Sequence, residues 1–262
     1  MAPSTKPAIQ YHDVKIFNQD VMCFLAAIDD ASVDLIITDP AYSGMNQHLQ
    51  LGCGRIVGNY AQRGKQGKWF DEFHDSQENY QQLLSHCYRI LKPNRHIFIM
   101  FDAFSLLSLG AALRTRFQVK NIISWDKMAI GMGHYFRRQS EFIVFACKGK
   151  RALSRRDIGD VWRIKRLHRA PYPTQKPVEL FEAMIASSKR QEDQYFSVCD
   201  PFVGSGSAAI AALKQHSQFI GADISARAID ICAQRIKTFI ESGKDHYQPR
   251  CAVDPTQQKV FW

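Results

Sequence analysis

The stretch that decides the fold lies at residues 197–223 and reads SVCDPFVGSGSAAIAALKQHSQFIGAD. An apolar run ends at Asp200, a glycine turn follows, and an alanine-rich segment leads into a second apolar run that ends at Asp223. This pattern predicts strand, turn, helix and strand, an arrangement that binds an adenosine-containing cofactor at the carboxyl edge of a sheet. The dinucleotide-binding fingerprint is incomplete, because Ala209 stands where its third glycine would fall. The Asp-Pro-Phe before the glycines and the acid at the end are what favour a binding site over a structural turn.

Outside this stretch, short β-rich runs alternate with helical patterns, which is typical of an α/β sheet. The predicted strands are 14–17, 33–38, 96–100, 121–125, 141–146, 195–199 and 218–222, and the predicted helices are 78–91, 104–116, 178–190, 206–216 and 225–241. The strands at 121–125 and 141–146 are joined by a polar, glycine-containing segment without a long helix, so we expect them to pair antiparallel. The chain is therefore predicted to be one domain, residues 1–262, around a mostly parallel seven-stranded sheet with one antiparallel strand.

The net charge of +9 is unevenly distributed along the chain. Residues 137–169 carry eleven Lys and Arg against three acids, and a second basic loop lies within residues 44–74. Basic residues concentrated in this way favour a polyanionic partner, because neutralising phosphates releases their condensed counterions.

Other features argue against several classes of protein. No apolar run approaches the roughly 20 residues that span a bilayer, and the first residues do not resemble a secretory signal, so we expect a cytoplasmic protein that does not enter a membrane. The seven cysteines are widely separated and include no C-x-x-C pair, which indicates free thiols and no metal site.

Two further motifs have ordinary explanations when they are considered singly. DLIITDPAYSG, residues 34–44, reads as a buried strand stopped by Pro40, and PYPTQKPVEL, residues 171–180, reads as a linker before a helix. Their order along the chain, DPAY first, then TQKP, then DPFVGSG, is harder to explain by chance.

In this order the three motifs resemble those of S-adenosylmethionine-dependent DNA amino-methyltransferases of the circularly permuted β group. DPAY is similar to the catalytic motif, TQKP to the cofactor-loop motif and DPFVGSG to the cofactor glycine motif, and the likeness extends to about residue 240. The resemblance implies a Rossmann-like methyltransferase sheet, S-adenosylmethionine as cofactor, and methylation of adenine N6 or cytosine N4 in double-stranded DNA. Adenine N6 is favoured, because Asp39 at the first position of the tetrad resembles the adenine-specific members.

The chemistry explains why such residues are needed. An exocyclic amine donates its lone pair into the ring, so it is a poor nucleophile and needs acceptors for the positive charge that grows on nitrogen. By the resemblance, Asp39 accepts one N–H, the Pro40 carbonyl accepts the other, and Tyr42 stacks on a base that has been flipped out of the duplex. Ala41 departs from the family, whose tetrad usually has a second proline.

The cofactor-binding residues that the resemblance implies lie in three segments of the chain. The glycine turn and its acids would hold the adenosine, the TQKP loop would contact the methionine end, and an acid near the N-terminus would lie by the adenine. These residues are Asp20, Thr174, Lys176, Asp200, Phe202, Gly204, Gly206 and Asp223. Asp20 departs from the family pattern, because Gln19 stands where a glycine usually precedes it.

The target-recognition segment implied by the motif order is short, at about residues 148–172. Its basic residues are predicted to contact DNA: Arg151, Arg155, Arg156, Arg163, Lys165, Arg166 and Arg169. Trp162 in the same segment is expected to pack against the domain. So short a segment suggests a short target site, help from the loop at 44–74, or a second subunit in a homodimer.

Three other functions remain open at this point. A nicotinamide-dependent oxidoreductase explains the glycine turn but leaves DPAY and TQKP without a role. An RNA amino-methyltransferase keeps the chemistry, although its usual motif order is the reverse. A catalytically inactive DNA-binding homologue would keep the basic segment and transfer no methyl group.

Overall fold

The computed structural model describes residues 6–11, 13–42, 73, 76–131, 135–168, 170, 172 and 174–245. The strands are β1 (Ile9–Tyr11), β2 (Val14–Asn18), β3 (Val33–Thr38), β4 (Leu91–Phe101), β5 (Gln118–Asp126), β6 (Ser140–Lys148), β7 (Val161–Arg163), β8 (Ser197–Asp200) and β9 (Gln218–Asp223). The helices are α1 (Val21–Ala26), α2 (Gln77–Ile90), α3 (Ala103–Leu113), α4 (Val178–Ser188), α5 (Ser207–Lys214) and α6 (Ala226–Ser242).

All of these strands form one sheet in the order β1-β2-β9-β8-β3-β4-β6-β5-β7. Strands β2, β9, β8, β3 and β4 run parallel to one another, while β6 is antiparallel to both of its neighbours, β4 and β5. The carboxyl ends of the parallel strands therefore lie at one edge of the sheet, and the end of β6 lies at the opposite edge. Strand β3 has every residue buried, as expected for the middle of a sheet covered on both faces.

The helices cover the two faces of the sheet in two sequence-ordered sets. Helices α1, α2 and α3 share one hydrophobic cluster, and α4, α5 and α6 share the other. Successive residues of β3 point to opposite faces of the sheet, so Leu35 and Ile37 belong to one cluster and Ile36 belongs to the other. This three-layer packing leaves only the edges of the sheet for a ligand.

The predicted architecture is confirmed, with additions at the margins. Among the seven predicted strands the antiparallel one is β6. In the described part of the chain, β1, which pairs antiparallel with β2, and β7 bring the total to nine. Both additions have only three residues, too few for a period of two to be recognised, and α1 has six. Helix α1 is instead marked by its N-cap, because the Asp20 carboxylate accepts hydrogen bonds from the backbone N–H groups of Met22 and Cys23.

The described residues include neither a membrane-spanning helix nor a cluster of metal ligands. None of the helices there is both long and apolar enough to cross a bilayer. That part of the chain also holds no group of three or more His, Cys, Asp or Glu side chains arranged to bind a metal ion.

Candidate active site

Acidic residues stand where the strands reach the carboxyl edge of the sheet. An aspartate ends, or closely follows, each strand from β2 across to β5 that points toward this edge. These residues are Asp20 after β2, Asp223 in β9, Asp200 in β8, Asp39 after β3, Asp102 after β4 and Asp126 in β5. The edge is thus lined with carboxylates, the groups that accept hydrogen bonds from hydroxyl and amine donors.

A cavity of about 310 Å³ opens at this edge, over the ends of β2, β9, β8 and β3. It brings together eight predicted site residues from four separate parts of the chain: Asp20, Asp39, Thr174, Lys176, Asp200, Phe202, Gly204 and Asp223. Apolar side chains from Phe73 and Phe181 complete its wall. The cavity therefore combines a few polar groups with apolar walls, as small-molecule sites do.

The glycine turn forms one side of this cavity. The backbone N–H of Gly204 donates to the Asp223 carboxylate over 2.8 Å, and the N–H of Ser225 donates to its other oxygen over 2.9 Å. Gly204 has a φ of +52°, a conformation that glycine adopts without strain. A carboxylate has about four acceptor positions on its two oxygens, so Asp223 belongs to the type of group that accepts from ligand hydroxyls.

Gly206 lies outside the cavity lining, although it belongs to the same turn. Its φ is +83°, and it caps the N-terminus of α5. A Cβ atom at this position would approach the Sγ of Cys232 to 2.5 Å. The structure therefore gives Gly206 a role in the packing of α5 against α6, and its part in the cofactor-binding turn stays a prediction.

Asp200 is almost fully buried at the end of β8. Its carboxylate accepts the backbone N–H of Phe202 over 2.9 Å and so shapes the turn. Burial, partly offset by this hydrogen bond, raises the pKa of Asp200 well above its usual value. The side chain also lines the cavity.

Asp39 lines the cavity and forms an ion pair there. Its carboxylate contacts the Nζ atom of Lys176, and the same Nζ lies 3.7 Å from Glu141 in β6. Glu141 in turn accepts from Lys127 over 3.1 Å. Asp39, Lys176, Glu141 and Lys127 thus form a row of side chains with alternating charges. The row leads from the cavity to the end of β5.

The charges in this row shift the pKa values of Asp39, Glu141 and Lys176. Burial raises the pKa of Asp39, Lys176 lowers it, and the negative charge of Glu141 raises it again, so the net shift is upward. Burial would also raise the pKa of Glu141, but Lys176 and Lys127 outweigh it and the net shift is downward. For Lys176 the two carboxylates overcome the effect of burial and raise its pKa, so it stays protonated.

Tyr42 lies beside the cavity with its ring turned into the protein. Only 3% of its surface is exposed, and the ring stacks on Phe101 at a centroid distance of 5.3 Å. Its backbone N–H donates to the Pro40 carbonyl over 3.0 Å, which occupies one lone pair of the predicted amine acceptor. Base stacking by Tyr42 therefore remains a prediction that needs the ring to leave Phe101.

The basic segment divides between the two edges of the sheet. At its start, Arg151 is mostly buried and pairs with Asp193 over 2.5 Å, while its backbone carbonyl bonds His96 at the amino end of the sheet. Ser154 is bonded to Ser187 at the end of α4, so the chain is still at this far edge three residues later. We therefore remove Arg151 from the predicted DNA contacts, because its guanidinium is held by a structural ion pair.

The later part of the segment returns to the cavity edge. Strand β7 pairs in parallel with the end of β5, which places Arg163 opposite Asp126. Arg163, Lys165 and Arg166 are exposed there, whereas Arg155 forms an exposed ion pair with Asp157. Arg156 is exposed next to Arg155, and Arg169 lies outside the described residues, as does nearly all of the basic loop at 44–74.

Trp162 packs as expected from its size. It is half-buried against the core and lies 6.4 Å from the ring of Phe98, and its indole N–H donates to the Gly159 carbonyl. The residue thus anchors β7 to the domain.

Glu141 and Phe73 are cavity-edge residues that sequence reasoning missed. Glu141 reaches the site because β6 runs antiparallel and begins at the carboxyl edge, opposite Trp125. An acid at the start of the predicted antiparallel strand was the available signal. Phe73 packs edge-on against Phe202 at 5.5 Å, and its segment has no periodicity that would have indicated this contact.

Comparison with known sequences gives one family over most of the chain. The sequence model of the DNA methylase family, which groups N6 and N4 methyltransferases, matches residues 33–234. Type II methyltransferase M2.DpnII of Streptococcus pneumoniae is 27% identical over 260 residues, covering 89% of this chain and 93% of its own. Type II methyltransferase M.HhaII of Haemophilus parahaemolyticus is 29% identical over 204 residues, covering 75% and 85%.

Solved structures share the fold at lower sequence identity. The M1.HpyAVI–SAM complex superposes with a TM-score of 0.61 at 20% identity, covering 85% of this chain and 99% of its own. The cytosine-N4-specific PvuII DNA methyltransferase gives a TM-score of 0.63 at 12% identity, covering 87% and 88%. These likenesses agree with the architecture described above.

Proposed function

Since the chain belongs to the DNA methylase family of N6 and N4 amino-methyltransferases, we propose that it transfers a methyl group from S-adenosylmethionine to the exocyclic amine of a base in double-stranded DNA. The preferred acceptor is N6 of adenine. The target base is flipped out of the duplex into the cavity, since an amine inside the base stack is out of reach.

The observation that carries this proposal is the shared cavity of Asp39 and the glycine turn. Asp39 comes from the end of β3 and Gly204 from the turn after β8, and both line the same space at the carboxyl edge. A group that accepts the amine and a group that binds adenosine are thereby brought together, although 165 residues separate them in the sequence. Transfer between two bound molecules depends mainly on holding them in such proximity.

The residues of the cavity suit S-adenosylmethionine. Asp223 can accept from ribose hydroxyls, the rings of Phe202 and Phe181 offer apolar walls, and the Lys176 ammonium matches an amino-acid carboxylate. Asp20 would lie near the adenine, at the N-terminus of α1. When bound, this cofactor supplies a methyl group attached to a positively charged sulfur.

The chain's own residues act on the amine. Ionised Asp39 accepts one N–H and stabilises the positive charge that grows on nitrogen as the N–C bond forms and the S–C bond breaks. The Pro40 carbonyl, which has a second lone pair, accepts the other N–H. The nitrogen then loses one proton, for which the Asp39 carboxylate is the nearest base.

Adenine is preferred over cytosine on the identity of a single residue. Asp39 at the first position of the tetrad resembles adenine-specific members of the family, but both amines need the same pair of acceptors. Cytosine N4 is accordingly the second candidate. An RNA substrate and an inactive DNA-binding role rank below it.

The test is a transfer assay with S-adenosylmethionine labelled in the methyl group. DNA from a host that expresses the wild-type chain would first be sequenced for methylated bases to find the target site. A duplex carrying this site should then gain label, and digestion to nucleosides should give N6-methyladenine. Recovery of N4-methylcytosine would replace the adenine assignment, and label on RNA alone would overturn the DNA substrate.

Asp39→Ala is the control for this assay. Loss of a charge-stabilising group typically lowers the rate by about a hundredfold to a thousandfold, so the variant should be close to inactive. Cofactor affinity, measured by calorimetry, should survive in the variant. If the wild-type chain transferred no methyl group to any DNA, the proposed activity would be wrong and the inactive DNA-binding role would be the remaining candidate.

A further inference from the structure

The described parts of the connection between β5 and β6, residues 127–131 and 135–139, extend the two strands past the cavity edge of the sheet and are called the projection below. The pairing of the two strands continues beyond their ends, because Lys127 donates its backbone N–H to Gln139 over 3.0 Å and Gly131 donates to Arg138 over 2.8 Å. Arg137 closes the same structure by donating from Nε to the Gly131 carbonyl over 2.8 Å. The base of this projection is therefore well bonded.

Two large aromatic side chains stand on this projection in solvent. Tyr135 is 94% exposed and Phe136 is 105% exposed, the highest values among the large hydrophobic residues of the described chain. Met128 and Ile130, on the opposite side of the projection, are also about half exposed. Single exposed apolar residues are common, but adjacent aromatics on a bonded projection indicate a contact surface.

The charges around this surface point to a polyanion as the partner. Arg137 and Arg138 directly follow the two aromatics, and Arg138 is held 4.7 Å above the ring of Phe104. The exposed Arg163, Lys165 and Arg166 lie along the same edge, since β7 pairs with the end of β5. A second copy of this chain would bring the same positive charges against these, so a self-contact through this surface is disfavoured.

The projection is also placed to act at the target base. Glu141, five residues after Phe136, lies 3.7 Å from the Lys176 ammonium that contacts Asp39. Five residues of chain span at most about 17 Å, so Phe136 lies no farther than that along the chain from Glu141. DNA with a base in the cavity therefore has its stack within reach of the two rings.

We infer that Tyr135 and Phe136 insert into the DNA beside the extruded base and fill the gap left in the stack. The inference rests on the proposed function and adds to it the residues that hold the opened duplex. Rings can replace lost base stacking because every base presents an aromatic face, and apolar wedges are known to enter between base steps. The arginines next to them would hold the adjacent phosphates.

The experiment compares two duplexes that carry the target site identified by sequencing. In one the target base is paired normally, and in the other it faces an abasic site, so that it is already unpaired. The variant Tyr135→Ala/Phe136→Ala should lower single-turnover methyl transfer on the paired duplex by about tenfold or more. On the abasic duplex the loss should shrink to about threefold or less, because less stacking has to be replaced.

Two controls keep the result interpretable. Tyr195→Ala removes an aromatic that is 82% exposed just before β8, at the other edge of the sheet, and should leave both rates unchanged. Tyr135→Trp/Phe136→Trp keeps two stacking rings and should retain most of the activity on the paired duplex. Circular dichroism and thermal unfolding would show that each variant folds.

Three outcomes would overturn the inference: no loss on the paired duplex, an equal loss on both duplexes, or a change from dimer to monomer in sedimentation when the two rings are removed. The last outcome would make the surface a contact between copies of the chain. Failure of the proposed function itself looks different, because the wild-type chain would then be inactive on both duplexes.

Discussion

At the scale of single residues, Lys176 has two carboxylate partners in the active site. It contacts Asp39 and also lies near Glu141, so its positive charge is shared between the proposed amine acceptor and a residue outside the cavity lining. If the carboxylate of S-adenosylmethionine attracts Lys176, Asp39 is relieved of its partner and can accept from the amine. Glu141 then becomes the group that keeps the lysine nearby.

This arrangement makes the pH dependence of the reaction testable. Only ionised Asp39 carries the negative charge that stabilises the positive charge growing on the amine, so kcat/KM should fall as the pH drops through its raised pKa. Glu141→Gln removes a negative charge that raises this pKa, so the acidic limb of the pH profile should move to lower pH. Lys176→Met removes the charge that lowers it, so the limb should move to higher pH.

Glu241→Gln is the matched control for the pH profile, because this exposed glutamate lies in the last turn of α6, at the other edge of the sheet. Its acidic limb should coincide with that of the wild type. A Glu141→Gln profile that also coincides would remove Glu141 from the electrostatics of Asp39.

At the scale of elements, the two glycines of the turn before α5 have different roles, although they look equivalent in the sequence. Gly204 faces the cavity and bonds Asp223, whereas Gly206 lets α5 approach α6. The first glycine therefore concerns the ligand and the second concerns the packing of two helices.

Gly206→Ala should consequently act on stability. A side chain at a positive φ costs about 1–2 kcal/mol, and the contact with Cys232 adds strain, so the free energy of unfolding should fall by about 2–4 kcal/mol. Cys232→Ala in the same chain should recover part of this loss by vacating the contact. Urea denaturation measures both changes.

Gly159→Ala provides the comparison for that measurement, because a Cβ atom added there would meet no other atom within 4 Å and its φ is not in the left-handed region. Its effect should stay within about 0.5 kcal/mol. An equally small effect of Gly206→Ala would mean that α5 and α6 can separate without cost.

At the scale of the whole molecule, the carboxyl edge is acidic inside the cavity and basic around it. Aspartates line the ends of the strands, and the basic residues Lys127, Arg163, Lys165 and Arg166 lie where β5 and β7 end. A polyanion is thereby attracted to the rim, while the cavity itself favours neutral or cationic groups. The proposed flipped base and the sulfonium of the cofactor both satisfy that condition.

The basic rim leads to a prediction for DNA binding. Replacing Arg163, Lys165 and Arg166 together by Ala should weaken binding and reduce the slope of log affinity against log salt by up to about 3, since each phosphate contact contributes about 0.9. Replacing Arg155 and Arg156 should change the slope much less, because their part of the chain follows Ser154 at the far edge. If the Arg155 and Arg156 replacement changed the slope more than the replacement of Arg163, Lys165 and Arg166, the DNA would lie near the end of α4, where Ser154 is bonded.

Much of this could be predicted from the sequence because the strong signals are local. Apolar runs, helical spacing and the glycine turn indicated the central strands, the five longer helices and the acids Asp200 and Asp223. The contact between Asp39 and Lys176 joins residues 137 positions apart and depends on the packing of α4 beside β3, for which no local pattern exists. The same reason hides the ion pair of Arg151 and the burial of Tyr42.

The pairing of β3 with β8 has a consequence for the synthesis of the protein. Leu35 in β3 lies beside Val198 in β8, so β8 is made long after the strand that it neighbours. A nascent chain that already contains Asp39 still lacks both the glycine turn, which is proposed to bind adenosine, and a central strand. Such distant pairings slow folding, and β3 lacks this neighbour until β8 (Ser197–Asp200) has been synthesised. The newly made protein should therefore gain its methylation activity in one step, and no partly active form should exist while the chain is still on the ribosome.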